Sequence, residues 1–371
     1  MPPVNLLIKP SSGMCNMNCH YCFYHDIIEK REQASFGFMS EETLENVIAK
    51  ALDYGDTSCT IAFQGGEPTL IGLPFFERAV ELAKEYNHKN MELHFALQTN
   101  GYNLDPEWAR FFAREHFLIG VSVDGTIHTH DAFRKNGAGE GTFLNIMKTI
   151  DLFNRYQVDY NILTVVNRKT APAIQKIYQY YKKMDFRYLQ FIPCLDPFGE
   201  KSGEMEYSLT PKMYGQFLCD LFDLWFEDFK NGREVFIRQF YNYISLLLTG
   251  RAESCDMNGF CSIQYVIESD GEVYPCDFFV LDDYKLGNLN NAGFKEIDEA
   301  RMKIGFLADD KLPDSQCRSC SFFRLCRGGC FRHRIMSGEE IHLNYFCESY
   351  QMFFDHCLPR LNQIAQHLSR R

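Results

Sequence analysis

Hydrophobic and polar positions along the first two thirds of the chain alternate in blocks that predict strands and helices in turn. Short runs of apolar, β-branched or aromatic residues are typical of strands buried in a sheet. Runs of this kind cover residues 6–8, 60–64, 93–98, 118–123, 160–166 and 188–192. Between them lie amphipathic stretches that begin and end with helix signals, such as Ser40 before the first stretch. These stretches cover residues 40–55, 74–86, 106–115, 142–156, 171–184 and 210–232.

The regular succession of strand and helix predicts the fold class. It implies an α/β protein whose parallel strands are joined by right-handed crossovers, as in a barrel or an open doubly wound sheet. Several strands end in polar or glycine-rich turns, including residues 64–68 (QGGEP) and 122–125 (SVDG). In both architectures the active site lies at the carboxyl ends of the strands. We therefore expect functional side chains in these turns.

After about residue 250 the alternation stops, and the chain becomes rich in cysteine, glycine and turn residues. One hairpin is predicted there, because residues 262–267 and 272–274 flank a Ser-Asp-Gly turn. Cys261 and Cys276 should then lie at its open end. A region too irregular to build its own core is typically held together by metal. We predict an α/β domain over residues 1–235 and a cysteine-rich domain with a C-terminal helix over residues 236–371.

Composition and charge exclude several classes of protein. The 371 residues are 46% hydrophobic, which is enough to bury a large core without covalent staples. A formal net charge of -11 repels phosphate backbones and anionic lipid, so we expect neither nucleic acid nor membrane as a partner. The chain shows no signal peptide and no run of about 20 apolar residues, which predicts a cytoplasmic location. The 15 cysteines should then be reduced thiols that bind metal where they cluster.

Three of these cysteines follow the first predicted strand with C-x3-C-x2-C spacing: Cys15, Cys19 and Cys22. Three thiolates can bind three irons of a 4Fe–4S cube and leave the fourth iron without a protein ligand. A structural zinc site is the alternative, but it needs four ligands. The nearby candidate for the fourth, His20, lies between two of the cysteines, which makes simultaneous ligation awkward. The spacing therefore favours a cluster with one open iron.

This cysteine loop, taken together with the turn at residues 65–68 (GGEP), resembles the radical S-adenosylmethionine superfamily. The resemblance implies a partial (β/α)6 barrel related to the TIM barrel. It also implies that S-adenosylmethionine (SAM) chelates the open iron and is cleaved by reduction to a 5'-deoxyadenosyl radical. The residues that it assigns to SAM binding are Tyr21, Gly66, Ser122, Arg134 and Leu195. Gln64 and Glu67 are further candidates, whereas Tyr24 is interpreted as a core residue.

Eight further cysteines lie in the C-terminal third, and eight thiolates are what two fully ligated 4Fe–4S clusters need. Zinc knuckles are the alternative, but five residues between Cys320 and Cys326 are fewer than the roughly 12 to 20 that usually separate paired knuckles. The pattern resembles the SPASM extension of peptide-modifying radical enzymes. The resemblance implies one auxiliary cluster on Cys255, Cys261, Cys276 and Cys330 and another on Cys317, Cys320, Cys326 and Cys347. The remaining cysteines, Cys59, Cys194, Cys219 and Cys357, are interpreted as small buried side chains.

A longer set of motifs is similar to the anaerobic sulfatase-maturating enzymes, including residues 62–69 (AFQGGEPT), 97–101 (LQTNG) and 274–278 (YPCDF). The resemblance implies oxidation of a Cys or Ser to Cα-formylglycine within a sulfatase segment of the form Cys/Ser-x-Pro/Ala-x-Arg. The reaction would begin with removal of a Cβ hydrogen by the radical. Asp277 would then serve as the base that accepts a proton. From its residue type alone, a turn aspartate satisfied by backbone is an equal interpretation.

The same resemblance implies the cofactors and partners. The cofactors would be three 4Fe–4S clusters and SAM. The partners would be an unfolded or nascent sulfatase polypeptide and an electron donor such as flavodoxin or ferredoxin. Two other functions stay open at this point: another SPASM enzyme, such as a thioether-forming peptide maturase, and a non-catalytic iron–sulfur electron carrier. The GGEP turn and the strand–helix alternation favour an enzyme, because a carrier needs no cofactor cleft.

Overall fold

The computed structural model describes residues 3–307, 314–334 and 343–369. Its strands are β1 (Val4–Ile8), β2 (Ser58–Phe63), β3 (Glu92–Thr99), β4 (Leu118–Ser122), β5 (Tyr160–Val166), β6 (Tyr188–Pro193), β7 (Phe236–Ile237), β8 (Tyr265–Ile267), β9 (Glu272–Tyr274) and β10 (Gly287–Asn288). Its α-helices are α1 (Phe23–Glu29), α2 (Glu41–Tyr54), α3 (Leu73–Tyr86), α4 (Pro106–Arg114), α5 (Ile127–Phe133), α6 (Phe143–Tyr156), α7 (Ile174–Lys183), α8 (Pro211–Lys230), α9 (Arg238–Thr249), α10 (Phe294–Lys303), α11 (Phe323–Cys326) and α12 (Cys347–Leu368). All the predicted strands and helices of the first 232 residues are present.

Two of the predicted helix starts are capped by the residues that signalled them. The Ser40 hydroxyl accepts a hydrogen bond from the backbone N–H of Thr43 at 3.1 Å, at the start of α2. The Thr210 hydroxyl accepts one from the N–H of Met213 at 3.3 Å, at the start of α8. Each cap satisfies one of the N–H groups that a helix start leaves without an intrahelical partner. The local sequence signals and the observed helix starts therefore agree.

The structure divides into two compact units. The first unit comprises Met1–Ser122, Arg134–Tyr160 and Ile263–Phe306. The second comprises Val123–Phe133, Asn161–Ser262 and Leu307–Arg371. Each unit is assembled from three separate segments of the chain, so the units do not correspond to consecutive halves. The domain boundary expected after residue 235 stays a prediction.

The first unit is built on a sheet with the strand order β10-β9-β8-β1-β2-β3-β4. Strands β1 to β4 are parallel neighbours, as the crossover rule predicts. The predicted hairpin is present as β8 and β9, and β8 runs parallel to β1. Since Tyr265, Val266 and Ile267 are all buried, the hairpin covers the edge of β1 and protects its backbone groups from other pairing. The hairpin thus belongs to the sheet that carries the first cysteine loop.

The second unit contains the parallel strands β5, β6 and β7, with β6 between the other two. Helix α12 packs against α8 and α9. Aromatic side chains fill this contact, because the Phe353 ring lies 5.9 Å from the rings of both Phe222 and Phe240, centroid to centroid. No helix within the described ranges is both long and apolar enough to span a membrane. The α/β class and its parallel pairing are confirmed.

Candidate active site and cysteine clusters

The first cysteine loop follows the carboxyl end of β1 and leads directly into α1, whose N-cap is Cys22. The Cys22 N–H donates to the Cys19 carbonyl at 3.1 Å, and the Asn18 N–H donates to the Lys135 carbonyl at 2.7 Å. The Met17 N–H points at the Cys15 sulfur, 3.4 Å away. Backbone hydrogen bonds therefore fix the loop conformation at both ends of the cysteine motif.

The three thiols lie close enough for the negative charge of one to raise the pKa of another. Burial raises the pKa of the Cys22 thiol, and the neighbouring Cys15 charge raises it further. The Cys15 residue is exposed as a whole, yet loss of hydration at its sulfur raises its pKa to about 12, with Glu67 and Cys19 adding to the rise. Mutually repelling thiolates in poorly hydrated surroundings suit a cationic cluster, which stabilises the deprotonated form. The donor set thus fits three ligands of a cube.

The predicted glycine turn packs directly against this loop. The Gly66 N–H donates to the Ser12 carbonyl at 2.9 Å, and the Glu67 N–H donates to the Met14 carbonyl at 2.8 Å. A Cβ atom added at Gly66 would lie 2.0 Å from the Met14 carbonyl oxygen, which no side chain can tolerate. The preceding Gly65 has φ of +138°, which also favours glycine. The Gly-Gly pair is therefore required for the approach of the two turns.

Glu67 joins the turns that follow β1, β2 and β3. Its buried carboxylate accepts hydrogen bonds from the Thr99 hydroxyl at 2.8 Å and from the Asn100 N–H at 2.7 Å. The Asn100 amide in turn donates to the Asn16 side chain at 2.8 Å, inside the cysteine loop. Burial raises the pKa of Glu67, while these hydrogen bonds act in the opposite direction. Glu67, a minor candidate in the sequence, thus holds the loop in place.

Most residues expected to bind SAM lie at or just after carboxyl ends of parallel strands, whereas Arg134 directly follows α5. Tyr21 is buried, and the Arg134 guanidinium lies over its ring at 5.4 Å from the centroid. Ser122 ends β4 and accepts a hydrogen bond from the Gln98 amide at 3.2 Å. Leu195 belongs to the second unit, where it follows β6 and lines a pocket. The structure thus brings Tyr21 and Arg134 into contact, and it places Gly66 and Ser122 in the same unit.

Asp277 lies at the centre of a buried polar network. Asp277 is the first residue of a short 3-10 helix that begins directly after Cys276, and it is 8% exposed. The Tyr24 hydroxyl lies 2.7 and 2.9 Å from its two oxygens. The Gln64 amide donates to the carboxylate at 2.8 Å, and the Lys9 ammonium lies 2.9 Å away. Asp277 is therefore held by three side chains rather than satisfied by turn backbone.

The three partners of Asp277 come from the region around the cysteine loop. Lys9 follows β1, Gln64 follows β2 and Tyr24 lies on α1. The Lys9 ammonium also lies 3.8 Å from the centroid of the Tyr24 ring, a cation–π contact. Burial, together with the negative charge of Asp277, raises the pKa of Tyr24 well above its usual value. Tyr24 thus stays a neutral phenol that donates to the carboxylate.

Sequence reasoning missed part of this network. Lys9 was not a candidate, although a lysine directly after a strand with alternate buried apolar residues is an available signal. Tyr24 was interpreted as core, and it is indeed buried, but its hydroxyl contacts Asp277. Gln64 was a minor candidate for the SAM pocket, which stays a prediction, and its amide contacts Asp277.

Seven of the eight C-terminal cluster cysteines lie in the second unit, and they form two groups. Burial raises the pKa of Cys326 to about 12, and the charges of Cys347, Cys317 and Cys320 raise it further. Burial likewise raises the pKa of Cys330 to about 12, with added effects of Cys255 and Cys261. The eighth, Cys276, belongs to the first unit beside Asp277, and the assignment of these cysteines to two clusters stays a prediction.

A buried arginine lies near both groups. Arg334 is 2% exposed, and burial lowers the pKa of its guanidinium. Negative charge on Cys261, Cys330, Cys317 and Cys326 acts in the opposite direction. The positive charge of Arg334 is therefore shared by thiols of both groups.

Two further observations bear on metal binding. Among residues 3–307, 314–334 and 343–369, no three His, Cys, Asp or Glu side chains gather tightly enough to chelate a single metal ion. Thiolates of a 4Fe–4S cube bind separate irons, so their sulfurs need not converge on one point. The four cysteines that the sequence leaves outside the predicted clusters are buried: Cys59, Cys194, Cys219 and Cys357.

Comparisons with known proteins identify the class. Residues 10–180 match the model of the radical SAM superfamily, and residues 255–321 match the SPASM model, described as an iron–sulfur cluster-binding domain. These two matches define a radical SAM enzyme with an auxiliary cluster domain.

The relatives narrow the class to one family. The chain is 46% identical over 369 residues to the cysteine-type anaerobic sulfatase-maturating enzyme of Clostridium perfringens (strain 13), covering 99% of this chain and 100% of the relative. It is 31% identical over 386 residues to the serine-type enzyme of Bacteroides thetaiotaomicron, covering 99% and 92% of the two chains. The solved structure of native anSMEcpe with bound AdoMet and Kp18Cys peptide has a TM-score of 0.95 at 45% identity, covering 99% of this chain and 100% of that one. The chain belongs to the anaerobic sulfatase-maturating enzymes.

Proposed function

We propose that this enzyme oxidises a cysteine in a sulfatase segment of the form Cys-x-Pro/Ala-x-Arg to Cα-formylglycine. The buried network around Asp277 is the observation that carries the proposal, because three side chains hold the carboxylate of the residue that directly follows Cys276. The preference for cysteine over serine is supported by the identities, which are 46% to a cysteine-type relative and 31% to a serine-type relative.

The proposed cluster ligands follow from the two cysteine regions. Cys15, Cys19 and Cys22 would hold the cube that leaves one iron for SAM. The auxiliary clusters would be held by Cys255, Cys261, Cys276 and Cys330 and by Cys317, Cys320, Cys326 and Cys347. When bound, the open cluster and SAM supply the 5'-deoxyadenosyl radical that removes a hydrogen atom from Cβ of the target residue. The carbon radical must then lose the thiol proton and one further electron, for which an auxiliary cluster would be the acceptor, to give a thioaldehyde. Water would replace its sulfur, which leaves as hydrogen sulfide.

Asp277 is proposed to accept the proton that leaves the target thiol. A carboxylate offers about four acceptor positions, and one N–H or O–H each from Lys9, Gln64 and Tyr24 takes up three of them. One position is thus left for the substrate proton, while the other bonds fix the direction in which the carboxylate points. A positioned base of this kind typically contributes about 10²- to 10⁴-fold in rate.

For SAM itself we propose contacts from Tyr21, Gly66, Ser122, Arg134 and Leu195. The planar Arg134 guanidinium suits the SAM carboxylate, which it can bind through two hydrogen bonds. Stacking on Tyr21 holds the guanidinium in one orientation, with its ring centroid 5.4 Å away. Gly66 leaves its backbone open to a ligand because it lacks Cβ.

The proposed partners are an unfolded or nascent sulfatase polypeptide and a one-electron donor such as flavodoxin or ferredoxin. The proposed compartment is the cytoplasm, where thiols stay reduced and available to iron. The acidic net charge of -11 suits a substrate segment that carries arginine.

The test is anaerobic incubation of the iron-reconstituted chain with SAM, a reductant and two peptides that differ only in Cys or Ser at the target position. Mass spectrometry should show the aldehyde from the cysteine peptide, formed faster than from the serine peptide. If neither peptide gives the aldehyde, the proposal is wrong. A product that keeps the sulfur in a thioether link would instead support the alternative maturase.

A further inference from the structure

One segment of the second unit has a charge opposite to that of the chain as a whole. Residues 314–334 contain five arginines and one aspartate, with no lysine or glutamate, whereas the complete chain has a net charge of -11. These arginines alternate with the cysteines proposed as auxiliary ligands. Arg318 follows Cys317 directly, and Arg327 follows Cys326 directly. The positive charge is thus concentrated at one proposed cluster site.

The arginines of this segment divide into a buried and an exposed group. Arg332 and Arg334 are buried, and the Arg332 guanidinium lies 3.7 Å from the centroid of the Phe198 ring. Arg318 and Arg324 are exposed, and Arg327 is half-buried. The buried pair can compensate for the negative charge of thiolates inside the protein. The other three arginines are available to solvent or to a binding partner.

A neighbouring loop adds a fourth arginine to the exposed group. The Arg327 guanidinium donates to the Gly250 carbonyl at 2.8 Å, and the next residue, Arg251, is exposed. Helices α9 and α11, which precede these residues, pack against each other. Among the described residues, no carboxylate lies within ion-pair distance of Arg251, Arg318, Arg324 or Arg327.

An exposed aromatic residue lies beside these charges. Phe260 is 65% exposed, and it directly precedes Cys261 of the other proposed auxiliary cluster. The adjoining Gly259 packs on Arg327, since an added Cβ would lie 2.7 Å from the Arg327 carbonyl oxygen. An aromatic anchor among arginines is a composition that protein interfaces favour. We name these residues, Arg251, Phe260, Arg318, Arg324 and Arg327, the basic face.

We propose that the basic face is the docking surface for an acidic one-electron carrier protein. The inference rests on the proposed function, because it needs the neighbouring cysteines to hold clusters. Electrostatic complementarity draws a negatively charged carrier to this face and raises its association rate. A sulfatase segment with arginine would be repelled here, which argues against the substrate as the occupant. A carrier bound at this face would lie beside proposed cluster ligands, because Cys320 is two residues from Arg318 and is only half-buried.

The test measures binding rather than turnover. An acidic flavodoxin in its oxidised form is titrated into the cluster-loaded full chain by calorimetry at low and high salt. The double variant R318E/R324E should raise Kd by at least about tenfold and should weaken the salt dependence. The control is K176E/K183E, an equal charge change at two exposed lysines of α7, which should leave Kd within about twofold.

Two outcomes would overturn the docking proposal, once a control has shown that the clusters are intact. Iron content and the absorption of the loaded variant confirm that the substitutions leave the clusters in place. Unchanged flavodoxin binding by R318E/R324E would overturn the docking proposal. Weaker binding of the cysteine peptide by the same variant would overturn it too, because the face would then belong to the substrate. Formylglycine formation with a chemical reductant tests the proposed function separately, since no carrier protein takes part.

Discussion

The loop of Cys15, Cys19 and Cys22 and the arginine-rich segment of residues 314–334 both carry proposed cluster ligands, but the fold supports them in different ways. The first loop connects β1 to α1 and is joined through Glu67 to the turns after β2 and β3. The second segment contains short helical turns, Ser315–Ser319, α11 and Phe331–His333. A parallel sheet thus holds the loop of Cys15, Cys19 and Cys22, the proposed catalytic loop, whereas little regular structure holds residues 314–334, the proposed auxiliary segment.

This difference has a thermodynamic consequence. A site that a sheet already shapes pays little conformational entropy when its cofactor binds. A site made of short turns is ordered by the same free energy that binds the metal, so loss of the metal also loosens the protein. The open cluster needs a fixed loop, because SAM and the target residue must meet in one geometry.

Iron removal should have the largest effect on the difference in stability between the two regions. We expect the amides of residues 314–334 to exchange nearly as fast as those of an unfolded chain once iron is chelated. The amides of Gly66 and Glu67 should stay protected, because carbonyl oxygens of the first loop accept from both. Hydrogen exchange read by mass spectrometry, with and without clusters, checks this. Equal loss of protection in both regions would show that the sheet does not preform the catalytic loop.

Substitution of Asp277 tests whether this residue of the first unit is the base in formylglycine formation. D277N keeps the shape of the side chain but removes its negative charge, so formylglycine formation should fall by about 10²- to 10⁴-fold. Iron content should be unchanged, because Asp277 is not a proposed ligand. The matched control is D283N, at an exposed aspartate six residues further on, which should keep normal activity. Full product formation by D277N would remove Asp277 from the mechanism.

Much of the fold and of the candidate site can be predicted from the sequence. The contacts that cannot be predicted join residues far apart in the chain. Strand periodicity, the Ser40 cap and the cysteine spacings are local patterns, and the structure has the corresponding elements. The contact between Tyr24 and Asp277 joins residues 253 positions apart, so no local pattern indicates it. The pairing of β8 with β1 is equally non-local, which is why the hairpin was expected in the cysteine-rich domain rather than in the sheet.

A methyl group added at Gly66 should disturb the loop of Cys15, Cys19 and Cys22 without affecting the auxiliary clusters. G66A places Cβ against the Met14 carbonyl, and such overpacking typically costs about 1–3 kcal/mol. We expect a lower Tm and weaker SAM binding, with the auxiliary clusters retained. G137A is the control, because an added Cβ there meets nothing within 4 Å. Normal SAM binding by G66A would mean that the two turns do not need to approach so closely.

The smallest expected effect comes from the phenol beside the base. Y24F removes one donor to Asp277 and should cost about 0.5–1.5 kcal/mol, or up to about tenfold in the rate of formylglycine formation. Y54F is matched to it, because the Tyr54 hydroxyl also donates to a carboxylate, that of Asp298, at 2.7 Å. Its activity should be normal. Equal rates for Y24F and Y54F would show that the network around Asp277 does not orient the base.

The most direct test of the account is whether SAM acts on the first cysteine loop alone. Electron paramagnetic resonance of the reduced, cluster-loaded chain should change when SAM is added, because SAM binds the open iron. The triple variant C15A/C19A/C22A should keep the signals of the two auxiliary clusters, and SAM should leave them unchanged. A SAM-dependent change in the spectrum of that variant would contradict the account, because SAM would then act on an auxiliary cluster.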